Sequence, residues 1–563
     1  MNLSFDPGKT KILFKFPYSP LTISHLHNVP GARYSSKNTT NQESVWIINK
    51  DIPSVRSLLG YFPMVHIDDE INSWMKDFDR RESSNKEQKK QGTYDPKMDN
   101  FSFVTTPYHH QKVALDLIIK NKSFGLCMEM GTGKTKPIID LMSELKRYKV
   151  ANGISKIKCL VVAPLSVVPN WEKEVSLHGE NLVVSLVVGS RAQRMEALNV
   201  DADIFVINYS GVRIFEKTLC LLPWDIMVCD ESQNIKHRTS QQAKACYAIG
   251  AKAKRRYILT GTMVTNKPLD VFGQFKFLDE SILGKSYTAF QSRYAVMVTH
   301  GRSSFPVRFI NLGELAQRIS PWSYRVLKSE CLDLPPKVYQ VRYAEMSSDQ
   351  KKLYTELKRE LASHLKSGEL VTAPIILTKL IRFSQITAGF VTTSSGEVKE
   401  IGDRGKIKTL VEVLSECEGK SVVWVKFKKE MELIKSVLGS EGISHVSLSG
   451  DNTSQERQES IERFGSDPNI KVFLGQIEAG GTGINLTAAS TCIYMTNSYS
   501  LGTRLQSEDR LHRIGQKSAV NYVDIVCPGT IDEKILVMLK SKKDIADKIN
   551  LDKMDGSFLD SIV

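Results

Sequence analysis

Short runs of Val, Ile and Leu recur along this chain without the in/out alternation of a half-exposed strand, and they leave it few ways to fold. From residue 101 onward they fall at 124–130, 158–165, 203–209, 225–231 and 255–262, with longer amphipathic stretches such as 134–147 between them. Strands buried on both faces read this way, because helices cover a parallel sheet from either side. The alternation is the βαβ rhythm of an α/β lobe. It breaks between 283 and 400, where the sequence reads as mostly helical, as at 348–367. It resumes at 421–427, 445–450, 471–476, 491–496 and 521–527.

The expected fold class is therefore α/β, with two parallel-sheet lobes. The expected boundaries are a small α+β module at 1–64, a polar linker at 65–100, a first lobe at 101–282, a helical insert and inter-lobe region at 283–400, a second lobe at 401–535 and a helical tail at 536–563. Within the module, strands are expected at 11–16, near 32–34 and at 44–48, with helices at 21–28 and 52–59. The linker is expected to be a helix fragment followed by flexible chain, since it is rich in charge and holds Lys89-Lys90-Gln91-Gly92.

Composition narrows the function classes. The 563 residues are 41% hydrophobic and 25% charged, which excludes wholesale disorder, collagen and mucin. Lys and Arg number 76 against 62 Asp and Glu, a net charge of +14 that favours an anionic partner, nucleic acid first. None of the nine cysteines is spaced C-x-x-C, so they read as small hydrophobes in a reducing compartment. The N-terminus lacks a signal-peptide pattern, and no apolar run approaches the ~20 residues of a membrane helix. The expected location is the cytoplasm of a bacterium or of a phage-infected host, with no membrane partner.

Gly131-Thr132-Gly133-Lys134-Thr135 follows one apolar run and opens a helical stretch. That is the setting of a phosphate loop: glycines turn backbone N–H groups toward phosphate oxygens, and the helix N-terminus adds positive potential. Lys134 reaches the β- and γ-phosphates, and the Thr135 hydroxyl binds Mg²⁺. The fuller pattern has glycine where Met128 stands. Asp230-Glu231 closes another apolar run and meets the loop across the top of the sheet. Asp230 is expected to hold Mg²⁺ and Glu231 to polarise the attacking water. Upstream, Gln111 carries an amide suited to adenine. In isolation each of these has a plainer reading, as a glycine turn, an acidic turn or a capping Gln.

In the second half, Gln506, Arg510 and Arg513 are expected on one face of a helix over 501–513. Guanidinium groups there suit a γ-phosphate, whose oxygens they bind in pairs. The alternative is a solvated face paired with Glu508 and Asp509. Gly480-Gly481-Thr482-Gly483 follows the run at 471–476 and permits close approach of backbone to phosphate.

Taken together, these segments resemble the Swi/Snf-like branch of the superfamily-two helicases. In family order stand Pro107-Tyr108-His109-His110-Gln111, Met128–Thr135, Val162-Ala163-Pro164-Leu165 with Asn170-Trp171, Asp230–Gln233, Leu259-Thr260-Gly261-Thr262, the stretch from Glu478 to Leu486, and Gln506–Gln516, whose block Asp509-Arg510-Leu511-His512-Arg513-Ile514-Gly515-Gln516 is the most branch-specific. Leu334-Pro335-Pro336-Lys337 is also similar to that branch. The resemblance covers roughly 105–535 and implies two RecA-like lobes, ATP between them and duplex DNA across them. It implies that Lys134, Glu231, Arg510 and Arg513 are catalytic. Gln111, Gly131, Thr132, Gly133, Lys134, Thr135, Gly483 and Gln506 would bind ATP, and Thr135 and Asp230 would hold Mg²⁺. Asn208, Tyr209, Thr260, Gly261, Thr262 and Thr482 would touch DNA or couple it to hydrolysis. The chain departs from the family at Gln233, where many members have His, at Met263, where Pro is usual, and in its short insert.

The N-terminal module has its own resemblance. Lys15-Phe16-Pro17-Tyr18-Ser19-Pro20, Pro30-Gly31-Ala32-Arg33-Tyr34 and Trp46-Ile47 look like the HARP (HepA-related protein) module of annealing helicases. It implies binding to branched DNA, with Lys15 and Arg33 on phosphates and Trp46 stacked on bases. The plainer reading makes its aromatics core. The expected function is that of an ATP-dependent, monomeric motor on double-stranded or branched DNA that remodels forks or recombination intermediates, working beside replication or recombination proteins. Its rivals are a translocase that strips DNA-bound proteins and a non-catalytic DNA binder with a relic ATPase fold.

Overall fold

The computed structural model describes residues 1–35, 43–90, 96, 98, 100–154, 156–264, 267–300, 303–331, 334–366, 373–393, 396–402, 405–478, 484–513 and 515–550. The chain folds as two compact units, Met1–Leu327 with the stretch from Ile545, and Lys328–Asp544. All nine cysteines are free thiols, and no helix among the described residues is long and apolar enough to cross a membrane.

The first unit opens with β1 (Asn2–Phe5), β2 (Lys11–Pro17), β3 (Arg33–Tyr34), β4 (Glu43–Asn49) and β5 (His66–Ile67). They form one sheet in the order β3-β4-β2-β1-β5, antiparallel except for the β1–β5 pair. Helices Pro20–Leu26 and Ile52–Tyr61 cover it. Phe14, Phe16, Trp46, Ile48, Val55 and Leu58 are buried together as its core.

The stretch expected as a polar linker is largely a 22-residue helix, Asp69–Lys90. Ile71 and Phe78 on this helix are buried. Phe78 packs on Trp322 with ring centroids 4.7 Å apart, and the Asn85 and Asn121 amides exchange two hydrogen bonds of 3.1 and 3.0 Å. The helix ties the module to the lobe that follows.

That lobe holds β6 (Ser123–Met128), β7 (Cys159–Ala163), β8 (Val184–Val187), β9 (Ile204–Asn208), β10 (Ile226–Asp230) and β11 (Arg255–Leu259). A hairpin of β12 (Ala295–His300) and β13 (Ser303–Phe309) then precedes β14 (Ser323–Val326). The sheet runs β14-β6-β11-β10-β7-β9-β8, every pair parallel. All five strands expected here form. The insert boundary is corrected: the hairpin and β14 are strands, and β14 returns to the edge of the sheet, so the first lobe extends to Val326.

The second unit holds β15 (Lys337–Tyr343), β16 (Phe390–Thr392), β17 (Val398–Glu400), β18 (Lys420–Val425), β19 (His445–Leu448), β20 (Val472–Gln476), β21 (Ala489–Tyr494) and β22 (Val520–Val526). Its main sheet is β15-β22-β21-β18-β20-β19, again all parallel. β15 falls inside the expected helical insert, so the second lobe begins earlier in sequence than 401. The insert proper is built on helices Ser348–Lys366 and Ala373–Thr387. The chain's last described helix is Ile531–Asn550, and residues 551–563 lie outside the described residues.

Module and lobe share a cavity of about 390 Å³ lined by Asp51, Ser54 and Arg56 on one side and Phe290, Arg293, Tyr294 and Arg318 on the other. Asp51 is fully buried at its edge. Its Oδ1 accepts from the Ser54 N–H at 2.8 Å, capping helix Ile52–Tyr61, and its Oδ2 accepts from the Lys285 N–H at 3.0 Å. Replacing Asp51 with Ala should cost about 1–2 kcal/mol, since a cap and a docking bond go together. The readout is the denaturant midpoint, and Asp51→Asn, which keeps an acceptor, should recover most of the loss.

Candidate nucleotide site

The C-terminal ends of three neighbouring strands, β6, β11 and β10, deliver the phosphate loop, Thr260–Thr262 and Asp230-Glu231 to one edge of the first sheet. Asp230 pairs in register with Leu259, and Leu259 with Leu126. A crevice outside the carboxyl ends of parallel strands is where this architecture takes ligands.

Met128 explains the missing glycine. It is the last residue of β6, fully buried and paired with Val326, so the loop begins after it. Gly131 and Gly133 make the turn, at φ 86° and 76°. A Cβ on Gly133 would lie 2.2 Å from Gln111 Nε2, so the position needs glycine on two counts. Helix Thr135–Ala151 starts directly beyond Lys134.

Gln111 supports the loop. Its Nε2 lies 3.3 Å from the carbonyls of both Thr132 and Gly133, and its Oε1 accepts from the Tyr108 N–H at 2.9 Å. Burial lowers the His110 pKa, and the neutral ring donates from Nε2 to the Thr132 carbonyl at 2.8 Å. Thr132 Oγ1 donates to the Glu129 carbonyl at 2.7 Å. His110 and Gln111 thus hold the loop's carbonyls, and Lys134 reaches across to Glu231.

Lys134 Nζ stands 3.5 Å from Glu231 Oε1, with both side chains largely buried. Glu231 adopts a left-handed backbone, φ 49° and ψ 56°, a strained setting for a residue with a Cβ. Asp230 is buried beside it. Trp171 Nε1 donates to its Oδ2 at 3.0 Å, and the Glu231 N–H donates to its Oδ1 at 2.9 Å. Burial, only partly countered by Lys134, pushes the Asp230 pKa up to about 6.

From Glu231 a relay leads to the loop after β11. Gln233 Nε2 donates to Glu231 Oε2 at 2.8 Å, and Gln233 Oε1 accepts from Thr260 Oγ1 at 3.0 Å. The Thr262 N–H donates to Thr260 Oγ1 at 3.0 Å. A second link runs beside it: Ser232 Oγ donates to Gln274 Oε1 at 2.7 Å, and Gln274 Nε2 donates to the Met263 carbonyl at 2.8 Å. Nothing local in the sequence assigns a role to Gln274 or Trp171. A buried Gln inside the apolar helix Val271–Leu278 is the signal for the first. Trp171 stood in a motif without an assigned partner.

In the second unit, helix Leu501–Glu508 is shorter than expected. It ends before Arg510 and Arg513, so the three residues do not share one helical face. Gln506 is on the helix, while Arg510 is buried and Arg513 partly buried in the turn that follows. Their acidic neighbours are engaged elsewhere. Glu508 takes Arg504 and Tyr339 at 2.9 and 2.8 Å, and Asp509 takes Lys328 at 2.6 Å. Thr482 and Gly483 lie outside the described residues.

The SNF2-related domain matches residues 69–388, and the helicase conserved C-terminal domain matches residues 405–515. The chain belongs to the SNF2-related family. Its two all-parallel lobes are the RecA-like pair of that family, and the matched span starts at the first residue of helix Asp69–Lys90. Among relatives, it is 29% identical to YwqA of Bacillus subtilis, a protein named provisionally as an ATP-dependent helicase/translocase, over 80% of this chain and 49% of that one. It is 26% identical to the TATA-binding protein-associated factor MOT1 of Saccharomyces cerevisiae, over 75% of this chain and 26% of that one. A solved Sulfolobus solfataricus SWI2/SNF2 ATPase core in complex with dsDNA is 27% identical, covering 80% of this chain and 94% of that chain, with a TM-score of 0.39. The chain spans about half the length of the B. subtilis relative and a quarter of the yeast one.

The SNF2 departures have physical accounts. Gln233 has both a donor and an acceptor, and it uses both to bridge Glu231 and Thr260. Met263 is buried, and its carbonyl receives Gln274.

Several residues expected at DNA are instead internal. Tyr209 is buried, and its hydroxyl donates to the Asp230 carbonyl at 2.7 Å, which makes it a strut beneath the acidic pair. Asn208 is buried, caps helix Tyr209–Ile214 through the Gly211 N–H at 3.2 Å and accepts from Arg194 at 2.8 Å. Trp46 is core, with its ring edge-on to His27 and Tyr34. Thr260 is buried, Gly261, Thr262 and Lys15 are half-buried, and Arg33 is exposed.

The donor set fits a magnesium nucleotide. Among the described residues no cluster of three or more His, Cys, Asp or Glu could hold a metal. The buried Asp230 carboxylate, oriented by Trp171 and the Glu231 N–H, is an oxygen donor of the kind a hard cation takes.

Proposed function

We infer that this chain hydrolyses ATP and uses it to move along double-stranded DNA, remodelling forks or recombination intermediates by branch migration and strand annealing. The observation that carries the reading is the relay from Lys134 through Glu231 and Gln233 to Thr260. It joins the group that meets a phosphate to a loop at the edge of the neighbouring strand, so occupancy of the first alters the second.

Lys134 binds the β- and γ-phosphates, and pairing with them releases Glu231 from its 3.5 Å contact. Glu231 then orients the attacking water. Asp230, fixed by Trp171, and Thr135 would hold Mg²⁺, which would supply neutralisation of charge on the transferring phosphoryl group. Arg510 and Arg513 are the arginines proposed to stabilise the transition state. Gln506 and Gly483 are the nucleotide contacts proposed from the second lobe. The net charge of +14 suits a polyanionic track. Gly261, Thr262 and Thr482 are the DNA contacts proposed for the lobes, and Lys15 and Arg33 those of the N-terminal module, whose HARP-like reading supports a branched substrate.

ATP turnover with no DNA, single strands, linear duplex and a fork tests this. Duplex or fork should stimulate turnover, and a fork preference supports the remodelling role. Failure of every nucleic acid to stimulate overturns the motor reading.

A further inference from the structure

The hairpin β12–β13 is built with its apolar side outward. In its register Val298 faces Phe305 and Val296 faces Arg308, so these four side chains share one face. Val296, Val298 and Phe305 are 43%, 44% and 48% exposed, and Val307 beside them is 55% exposed. The opposite face holds Ala295, Met297 and Pro306, and Ala295 is buried against the lobe. The root is fixed where the Ile310 N–H donates to the Tyr294 carbonyl at 3.0 Å, and the hairpin packs chiefly on the preceding helix, Tyr287–Tyr294. An isolated two-stranded hairpin showing valines and a phenylalanine to water is a liability unless something meets that face.

Two observations say what meets it. Of the basic residues around it, Lys285 pairs with Glu280 and Arg293 with Glu314, whereas Arg308 is exposed on the same face as Phe305. An exposed aromatic beside an exposed arginine is complementary to nucleic acid, whose bases stack on the ring while phosphates meet the cation. The edges are also poor templates for a protein strand. Pro306 removes a donor from β13, and the register slips between Val296 and Met297.

We propose that this hairpin is a stacking pin for unpaired bases at a DNA junction, with Phe305 taking a base between Val298 and Val307 and Arg308 taking the adjacent phosphate. The proposal rests on the DNA-motor reading but assigns a residue set outside the ATPase residues. It separates a junction from plain duplex, because only unpaired bases offer a free face.

The test is binding by the full chain, without nucleotide, to a fork with unpaired arms and to a blunt duplex of equal length. The fork carries 2-aminopurine at its first unpaired positions. Phe305→Ala should weaken fork binding about ten-fold, the scale of one lost base stack, and abolish the emission change. Phe305→Trp should restore both, and Arg308→Gln should weaken the fork less than Phe305→Ala does. Blunt-duplex binding should stay level in all three. These are exposed positions, and unchanged thermal melting confirms the fold. Unchanged fork binding in Phe305→Ala overturns the proposal and leaves the face to a protein contact. Equal loss on fork and duplex overturns it too, as a general backbone contact. Wild-type ATP turnover on duplex reports the motor separately, so its failure leaves the binding comparison intact.

Discussion

A Glu231→Gln chain should bind ATP as well as or better than the wild type and turn it over about 10²- to 10⁴-fold more slowly, the range for loss of a positioned proton-handling group. Gln has the same shape and can still bond Gln233, so the relay survives while the charge is lost. The pair with Lys134 goes too, and the lysine is then free to meet phosphate without first leaving a carboxylate. Lys134→Ala should do the opposite and weaken nucleotide binding. Phosphate release and fluorescent-nucleotide titration, run on both variants, separate the roles. A Glu231→Gln enzyme with near-normal turnover would remove Glu231 from the chemistry.

The second large effect lies in the other unit. Arg504 is buried with its guanidinium 3.5 Å above the Tyr494 ring, 2.5 and 3.0 Å from the two Asp524 oxygens and 2.9 Å from Glu508. Asn497 accepts a further bond at 2.7 Å. Arg504→Met removes the cation shared by two buried carboxylates and leaves Glu508 the 3.4 Å contact with Lys337, so the second unit should lose about 3–5 kcal/mol. Thermal or urea unfolding of the chain reads it. The pH dependence has a definite sign. Burial raises the Glu508 pKa, but Arg504 and Lys337 outweigh it and hold the carboxyl below its ordinary value. In the wild type that contribution is present above the ordinary Glu pKa and is lost as pH falls through the lowered one. In the variant the carboxyl loses the first of those cations and its pKa rises, protonation relieves Glu508 sooner, and the gap between the two proteins should narrow on acidification.

The central strands were legible because burial on both faces leaves an unbroken apolar run, as in Ile226–Asp230. The edge strands were not. Ser323–Val326 is short and polar, and only pairing with Gly125–Met128 makes it a strand. Lys337–Tyr343 is exposed along most of its length and is defined by its neighbour Val520–Val526. Helix Asp69–Lys90 did carry a signal, apolar residues at 71, 74, 75 and 78, but the surrounding charge masked it. At the nucleotide site the loop and the acidic pair were readable by residue type and order. Their supports were not: Trp171, Tyr209 and Gln274 act through contacts made across 59, 21 and 42 residues of sequence. Arg504 shows the same limit, since nothing local distinguishes a buried structural arginine from Arg510.

The cavity between module and lobe bears on how this protein can be taken apart. Asp51 closes it from one side by holding the backbone of Lys285, and ten residues later the hairpin begins. Cutting the chain after residue 64 would strip a wall from Phe290 and Tyr294, uncap a carboxylate's partners and loosen the helix from which the hairpin springs. A truncated protein that loses fork preference would thus report damage at the root as readily as loss of a module. Point changes on exposed side chains, which leave the module seated on its lobe, are the cleaner way to tell the two apart.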